Sequence, residues 1–416
     1  MADRTILHCD MNSFYASVEL LEHPELADKP VAVCGDPHSR HGIILAKNEA
    51  AKKFKVQTAE TIWQARRKCP DLILLAAHHE KYSRFSRIIN GIYLRYTDLV
   101  EPFSIDESWL DVSGSLSKFG MSGKGIADEI RETVKAETGL RLSAGVSFNK
   151  IFAKMGSDYK KPDATTVISR ENYKELLWPL PARDLIFVGK STAAKLESMN
   201  IRTIGAIACA DPALLHSAFG KHGDEMYRYA NGLDDSPVAP YDRQREYKSV
   251  GNGITFRRNL QGREDVRTAV TALSDRVAGR LRKHGLRASG IKVDIKDPNF
   301  RSISRQMQLE SSVNSSAEIA KAAMELIDRN WRYSEPIRLI TVTGINISVG
   351  MPEEQISLFE PAIEETRKKN EAVDAAMDSI RDRFGKYSIM YGGSLGNDLG
   401  ISYQESEEEE IEYEER

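Results

Sequence analysis

Three acidic residues lie where a carboxylate is costly to bury. Asp10 ends the apolar stretch that begins at Thr5, and Asp106 and Glu107 stand side by side between two apolar stretches. Such short apolar runs are typical of buried strands. A carboxylate at the end of a buried strand needs a compensating charge, and hard divalent ions prefer oxygen ligands. If the strands are neighbours, these acids could together hold two divalent cations.

The elements that must position these acids alternate between strands and helices over about the first 165 residues. We predict strands at 5–10, 30–34, 42–46 and 72–76, two between 99 and 112, and one at 141–147; we predict helices at 49–54, 60–68, 79–96 and 125–138. We expect the strands to form one mixed sheet.

The pattern changes after this region. Residues 171–232 have the spacing of short helices joined by glycine-containing turns, and 233–242, with two prolines and several acids, is typical of a linker. Strands at 248–256, 291–295, 302–309 and 337–347 and helices at 266–281 and 316–330 follow. Their order, β-α-β-β-α-β, is that of a ferredoxin-like module.

The charge is unevenly distributed although the net charge is only −3. Residues 243–345 hold 20 basic and 11 acidic residues, whereas 350–416 hold 7 basic and 18 acidic residues. A basic module indicates a polyanionic partner. The final stretch from Glu405 is mostly glutamate and has the composition of a disordered acidic tail.

Composition excludes some classes of protein. The chain has 416 residues, of which 41% are hydrophobic and 29% charged, as expected for a globular protein of several domains. Its longest apolar run, Leu72 to Ala77, is far shorter than the ~20 residues of a membrane span. Four dispersed cysteines and no basic-then-apolar leader predict reduced thiols and a cytoplasmic location without membrane attachment.

Three ordered motifs resemble those of the Y-family DNA polymerases, most closely the bacterial DinB branch. Residues 10–19 (DMNSFYASVE) resemble the opening motif of the family, and residues 104–111 (SIDESWLD) resemble its second motif. Residues 145–154 (GVSFNKIFAK), followed by Lys160, Lys161 and Pro162, resemble its third motif. The similarity extends from about residue 5 to about residue 350.

The resemblance implies an α+β multidomain fold shaped like a right hand. Its parts would be a catalytic palm (1–20 and 78–170), small fingers (21–77), a helical thumb with a helix-hairpin-helix (171–235), a linker (236–243), a ferredoxin-like βαββαβ little finger (244–348), and a C-terminal extension (349–416) with a clamp-binding peptide and an acidic tail.

The resemblance also implies the catalytic residues. Asp10 and Asp106 would bridge two Mg²⁺ ions, Glu107 would serve the ion nearer the primer end, and the backbone oxygen of Met11 would be a further ligand. Two such ions can activate the attacking hydroxyl and stabilise the leaving oxygen in nucleotidyl transfer.

The nucleotide site would lie beside these ions. Tyr15, with Phe14 before it, matches the steric gate that excludes the 2′ hydroxyl of ribonucleotides by volume, and Lys161 matches the lysine that contacts the triphosphate. The fingers depart from the family because its Tyr-Glu-Ala-Arg motif is Asn-Glu-Ala-Ala at 48–51. Lys52 or Lys47 would replace the missing arginine.

Primer–template DNA would be held by two further parts. Gly189 and Lys190 lie at the predicted hairpin turn of the thumb, where backbone amides can approach a phosphate. The basic module would contact the DNA backbone without reading its sequence. Its candidate contacts are Lys248, Arg257, Arg258, Lys292, Lys296, Arg301 and Arg305, which the antiparallel strands would place on one exposed face of the sheet.

A short apolar pair lies in the polar segment after the basic module. Gln355, Leu358 and Phe359 belong to the stretch QISLF, which resembles the peptide that binds bacterial sliding clamps of the β type. Exposed apolar residues in a solvated segment are explained by a pocket on a partner. One more helix is predicted from 367 to 384. The protein is expected to be a monomer.

The function implied by the resemblance is translesion DNA synthesis from dNTPs, with low fidelity and no proofreading. Two alternatives remain at this point. A nucleotide or diguanylate cyclase also places paired carboxylates on a palm-like sheet, but it needs neither a helix-hairpin-helix nor a basic second module. An inactive DNA-binding relative would be expected to have lost one of the three acids.

Overall fold

The structure is a computed structural model that describes residues 3–35, 42–243, 247–350, 361–385, 388–394 and 396–401. The described chain divides between residues 243 and 247 into two units. None of the described helices has the length and hydropathy that crossing a membrane requires.

Eight strands in the described part of the first unit form two sheets. They are β1 (Ile6–Met11), β2 (Val31–Cys34), β3 (Ile44–Lys47), β4 (Ile73–Ala76), β5 (Val100–Pro102), β6 (Glu107–Asp111), β7 (Leu142–Ser147) and β8 (Thr165–Ile168). The larger sheet has the order β5-β6-β1-β7-β8, so the fully buried β1 lies at its centre. The expectation of one mixed sheet is wrong. Strands β3, β2 and β4 form a separate sheet because they close over their own small core, which includes Ala32, Ile44 and Leu72.

The described part of the first unit contains twelve α-helices. They are α1 (Phe14–Leu20), α2 (Glu49–Lys53), α3 (Ile62–Lys68), α4 (His79–Tyr93), α5 (Leu116–Phe119), α6 (Gly123–Thr138), α7 (Lys150–Tyr159), α8 (Tyr173–Leu177), α9 (Lys190–Ser198), α10 (Ile204–Ala208), α11 (Pro212–Phe219) and α12 (Lys221–Ala230). Polar caps begin several of them. The Asn149 side chain, for example, accepts a hydrogen bond from the Phe152 amide at the start of α7. Helices α8 to α12 share a core with the start of α7.

Helix α7 lies unusually close to strand β7. A Cβ atom on Gly145 would lie 1.8 Å from the carbonyl oxygen of Ala153, and one on Gly156 would lie 3.0 Å from the Cα of Gly145. Only glycine at these positions allows the helix and the strand to approach so closely. This contact fixes the helix that carries Lys154 beside the central strands.

The second unit has the predicted ferredoxin-like order. It contains β9 (Ser249–Leu260), α13 (Gly262–Lys283), β10 (Leu286–Lys296), β11 (Ser302–Val313), α14 (Ser316–Asn330) and β12 (Ile337–Val349). The four strands are antiparallel in the order β11-β10-β12-β9. The alternation of apolar and charged residues on β10 predicts its buried face correctly, because Ile291, Val293 and Ile295 lie in the core with α13 and α14.

A last helix, α15 (Pro361–Phe384), packs on this module and starts before the predicted residue 367. Its buried Asp374 accepts hydrogen bonds from Arg282 of α13 at 3.2 Å and from the Ser316 hydroxyl of α14 at 2.9 Å. Beyond the helix, Leu399 and Ile401 are buried in the core of the module. The C-terminal segment as far as residue 401 is therefore part of the second unit.

Candidate active site

The pairing of β1 with β6 brings the three acids together. The strands are antiparallel, and Asp10 lies opposite Glu107 in their register. The Met11 amide donates a hydrogen bond of 3.0 Å to the carbonyl oxygen of Asp106. The main chain of Met11 therefore lies beside Asp106, while Asp10 lies opposite Glu107.

The carboxyl groups perturb one another because the site is buried. Burial raises the pKa of Asp10 to about 8, opposed by Lys161 and reinforced by the charge of Glu107. Burial also raises the pKa of Asp106 above its usual range. Burial alone would raise the pKa of Glu107 as well, but His8 and Lys154 lower it overall. Carboxyl groups held at such cost favour bound cations, and carboxylate oxygens are the ligands that Mg²⁺ prefers.

Two lysines lie against these acids. The Lys161 ammonium is 2.7 Å from a carboxylate oxygen of Asp10 and 2.7 Å from one of Asp158. The Lys154 ammonium donates a hydrogen bond to Glu107. The structure thus places Lys161 at the acidic cluster, and it adds Lys154, for which we predicted no role.

His8 is a second residue that we did not predict. It lies two residues before Asp10 on β1, so both side chains are on the same face of the strand. Its Nε2 atom is 3.7 Å from a Glu107 carboxylate oxygen, and its Nδ1 atom is 2.8 Å from the Ser157 hydroxyl. Burial lowers the pKa of His8 to about 4 and keeps the ring neutral.

Asn12 holds the loop that carries Lys161. Its side-chain oxygen accepts a hydrogen bond of 2.8 Å from the Asp163 amide, and its side-chain nitrogen donates one of 2.9 Å to the Ser143 hydroxyl. The start of the first motif is thereby tied to β7 and to the segment that follows the third motif. The spacing of the motifs alone could not show this link, because the partners are distant along the chain.

Tyr15 is backed by an aromatic cluster. Its ring stacks on that of Tyr82 with centroids 4.0 Å apart and planes at 12°. The Tyr82 hydroxyl donates a hydrogen bond of 2.5 Å to Glu19, which is buried at 2% exposure. Phe14 is also buried, with its ring 5.8 Å from that of Tyr15. The structure therefore places the Phe14 ring in the core behind Tyr15, and a role for Phe14 at a nucleotide site stays a prediction.

Both finger lysines lie near the start of α1. Lys52 forms an ion pair of 2.6 Å with Glu49, whose carboxylate also accepts a hydrogen bond from the Ser13 hydroxyl. The Lys47 ammonium donates a hydrogen bond of 2.8 Å to Thr58. Burial, and then the charge of Lys52, lower the pKa of Lys47. Two neighbouring cations of this kind favour an anionic ligand.

The predicted hairpin turn precedes α9. Gly189 is the N-cap of the helix and Lys190 is its first residue, and no side chain caps the helix amides. The element before the turn is a short 3-10 helix, Ala182–Asp184. Phe187, inside the turn, has a left-handed backbone with φ of 67° and is 41% exposed.

The candidate DNA contacts of the second unit do not all share one face. On β10, Lys292 and Lys296 alternate with the buried residues and therefore lie on the sheet face away from the helices. Arg257 lies on the same face of the sheet, because side chains alternate along β9 and its neighbour Phe256 points into the core. Lys248 and Arg301 are exposed outside the strands.

Arg258 and Arg305 lie on the other side, so the expectation of a single face fails for both. Arg305 lies opposite the buried Val293 in the strand register, and its guanidinium donates a hydrogen bond to Asn330 at the end of α14. Arg258 pairs with Asp265 of α13 and with Asp398. These carboxylates compete with a phosphate for Arg258.

Gln355, Leu358 and Phe359, the candidate clamp-binding residues, lie outside the described residues.

Comparison with known proteins agrees with this geometry. The model of the impB/mucB/samB family matches residues 9–158, the model of its C-terminal domain matches 247–358, and the model of the DNA polymerase-iota thumb domain matches 183–234. The chain is 48% identical to a DNA polymerase IV of Acetivibrio thermocellus over 96% of this chain and 99% of that protein. It is 35% identical to DNA polymerase IV 1 of Bacillus subtilis over 94% of this chain and 93% of that protein.

A solved structure supports the same fold. A Y-family DNA polymerase chimera superposes with a TM-score of 0.73 at 23% identity, covering 83% of this chain and 100% of that chain. The protein described here belongs to the Y family of DNA polymerases. Its curated relatives are DNA polymerases IV, and it is a DNA-directed DNA polymerase of the translesion type. This family membership excludes a cyclase.

Proposed function

We propose that the protein extends a primer on template DNA by two-metal nucleotidyl transfer at Asp10, Asp106 and Glu107. One observation carries this proposal. Two antiparallel neighbouring strands bring these acids into one buried cluster, and Lys161 lies against the first of them. Polymerases of this family generally use divalent metal ions, and we propose that two Mg²⁺ ions serve here.

Each acid has a distinct place in this proposal. Asp10 and Asp106 would hold the ions together with Glu107, which would serve the ion nearer the primer end, and the Met11 carbonyl would complete the set. The chemistry that such ions would supply is activation of the primer 3′ hydroxyl and stabilisation of the oxygen that leaves the α-phosphate. The chain contributes orientation, because Lys154 holds Glu107 and a strand register holds Asp10.

The dNTP is selected and gripped by residues around this cluster. Tyr15 excludes the 2′ hydroxyl because Tyr82 behind it leaves the ring little room to retreat. Lys161 contacts the triphosphate, as does Lys52 or Lys47 of the fingers. Synthesis of the translesion type is of low fidelity and without proofreading, so selection rests on this site.

DNA is held by the thumb and by the basic module. We assign the palm to 1–20 and 78–170, the fingers to 21–77, the thumb to 171–235 and the little finger to 244–348, joined by a linker at 236–243. Gly189 and Lys190 contact phosphate from the thumb. Arg257, Lys292 and Lys296 do so from the face of the little-finger sheet away from its helices, and Lys248 and Arg301 do so from outside the strands.

Primer extension by the purified protein tests the proposal. The protein is incubated with a primed template, either undamaged or lesion-bearing, and four dNTPs, with Mg²⁺ or with a chelator. Asp106→Ala should abolish extension on both templates, whereas the matched control Asp71→Ala, which removes an exposed acid of the same unit, should not. Extension that survives Asp106→Ala would refute the assignment.

We also propose that Gln355, Leu358 and Phe359 bind a β-type sliding clamp and that the protein is a monomer. The support for the clamp is the sequence QISLF at 355–359. Leu358→Ala combined with Phe359→Ala should abolish capture by an immobilised clamp, and Val349→Ala, which removes another exposed apolar side chain nearby, should not. Sedimentation analysis of the full chain tests the oligomeric state and should give the mass of one chain.

A further inference from the structure

We propose that Phe300, at the tip of the β10–β11 hairpin, is a platform on which a base of single-stranded DNA stacks. This inference rests on the proposed function and adds a base contact to a module whose other assigned contacts are to the phosphate backbone. The phenyl ring is 66% exposed, which is unusual for so large an apolar side chain.

The tip is a rigid turn that holds this ring in place. The Phe300 amide donates a hydrogen bond of 3.1 Å to the Asp297 carbonyl, and the Asp297 amide donates one of 2.9 Å to the Arg301 carbonyl. The Asp297 carboxylate accepts a further hydrogen bond of 2.9 Å from the Arg301 amide. Pro298 restricts the backbone between them. The ring therefore loses little conformational freedom when it binds a ligand.

The backbone conformation at Phe300 is one that favours glycine or asparagine. Its φ of 64° lies in the left-handed region, which is unfavourable for a residue with a Cβ. The exposed ring does not recover this cost by entering the core. A bulky aromatic residue that is both strained and exposed suggests a function for the ring itself.

Cationic groups next to the ring favour a nucleic acid as the ligand. The Arg338 guanidinium lies over the ring, 4.7 Å from its centroid, and Arg301 follows it in the chain. Lys296 ends the preceding strand. Aromatic rings bordered by basic residues bind single strands by stacking with bases and attracting phosphates. Asp297 is acidic, but its carboxylate is engaged by the Arg301 amide within the turn.

Binding to two oligonucleotides separates stacking from charge. The full chain is titrated into a labelled single-stranded thymidine oligonucleotide and into an abasic oligonucleotide of the same length and charge. Phe300→Asn keeps a residue that tolerates the left-handed turn but removes the ring. It should weaken binding to the base-bearing strand at least about fivefold and leave the abasic strand unchanged.

Three further variants complete the test. Phe300→Leu, which keeps an apolar side chain without an aromatic face, should show the same loss, and Phe300→Trp should not. Phe384→Asn is the matched control. Phe384 is also an exposed ring (72%) next to an arginine, Arg383, but it lies at the end of α15 and not in the β10–β11 hairpin, and Asp382 is close to it in the chain. It should leave both affinities unchanged.

Two results would overturn the proposal. Unchanged binding of Phe300→Asn and Phe300→Leu would show that no base stacks there, as would be found if the tip served another protein. An equal loss on the abasic strand would assign the effect to charge or folding. Neither result bears on catalysis, which Asp106→Ala tests separately. Conversely, failed primer extension with an intact base-dependent difference would remove the proposed function and keep the platform.

Discussion

Replacing Tyr15 by alanine should admit ribonucleotides. The Tyr15 ring stacks 4.0 Å from that of Tyr82, which is itself anchored by a hydrogen bond to the buried Glu19. A ring with such support cannot withdraw from a 2′ hydroxyl without disturbing the core. Alanine removes the ring and opens the space that this hydroxyl would fill.

The expected magnitude follows from the clash that is removed. Forcing one extra group into a packed site costs about 1–3 kcal/mol, which corresponds to about 5- to 150-fold in the ratio of kcat/KM for dNTP over rNTP. Tyr15→Ala should therefore lower the dNTP-over-rNTP ratio of kcat/KM by about 5- to 150-fold. Loss of the stacked pair should also lower the free energy of unfolding by about 1 kcal/mol.

Single-nucleotide insertion with matched dNTP and rNTP provides the assay. Tyr15→Phe is the control, since it keeps the ring and should keep the discrimination. Phe14→Leu should also keep it, because Phe14 is buried behind the gate. An unchanged ratio in Tyr15→Ala, with normal dNTP insertion, would refute the reasoning and move the gate to another side chain.

Three other perturbations have defined outcomes. Because the pKa of Asp10 is raised to about 8, this group makes the metal-free protein less stable as pH rises from about 4 to about 8; Asp10→Asn should remove that loss in thermal unfolding with a chelator, and an unaltered pH profile would contradict it. Gly145→Ala should lower the free energy of unfolding by about 3 kcal/mol, because its Cβ would meet the α7 backbone, and a denaturant midpoint like that of the wild type would oppose this reading. Asp374→Ala should cost about 1–3 kcal/mol because the buried Ser316 hydroxyl and amide lose their acceptor, while Arg282 keeps its ion pair with Asp378; wild-type melting would exclude it.

The sequence was sufficient for much of the site because its signals are local. The apolar run before Asp10 and the apolar flanks of Asp106 and Glu107 predict strand ends, and the motifs fix their order. The ferredoxin-like order of the second unit followed from alternation, as at Ile291 and Val293. Strand pairing in the palm did not follow, because register depends on contacts between distant segments.

Residues that act through long-range contacts could not be found in this way. His8 and Lys154 reach Glu107 only because β1, β6 and α7 meet in three dimensions. The glycine at 145 belongs to a motif, but its close approach to α7 is visible only in the fold. Likewise, the sequence makes Arg258 a candidate DNA contact, and only the structure shows its two carboxylate partners.

The central claim is that three carboxylates from two neighbouring strands hold a pair of divalent ions. It is tested most directly by electron paramagnetic resonance of Mn²⁺ bound with primer–template and a dNTP, using a primer that lacks its 3′ hydroxyl. The wild type should show two spin-coupled ions about 3.5–4 Å apart, and Asp106→Asn should lose the coupling. A coupled pair that persists in Asp106→Asn, or that never forms in the wild type, would contradict the account.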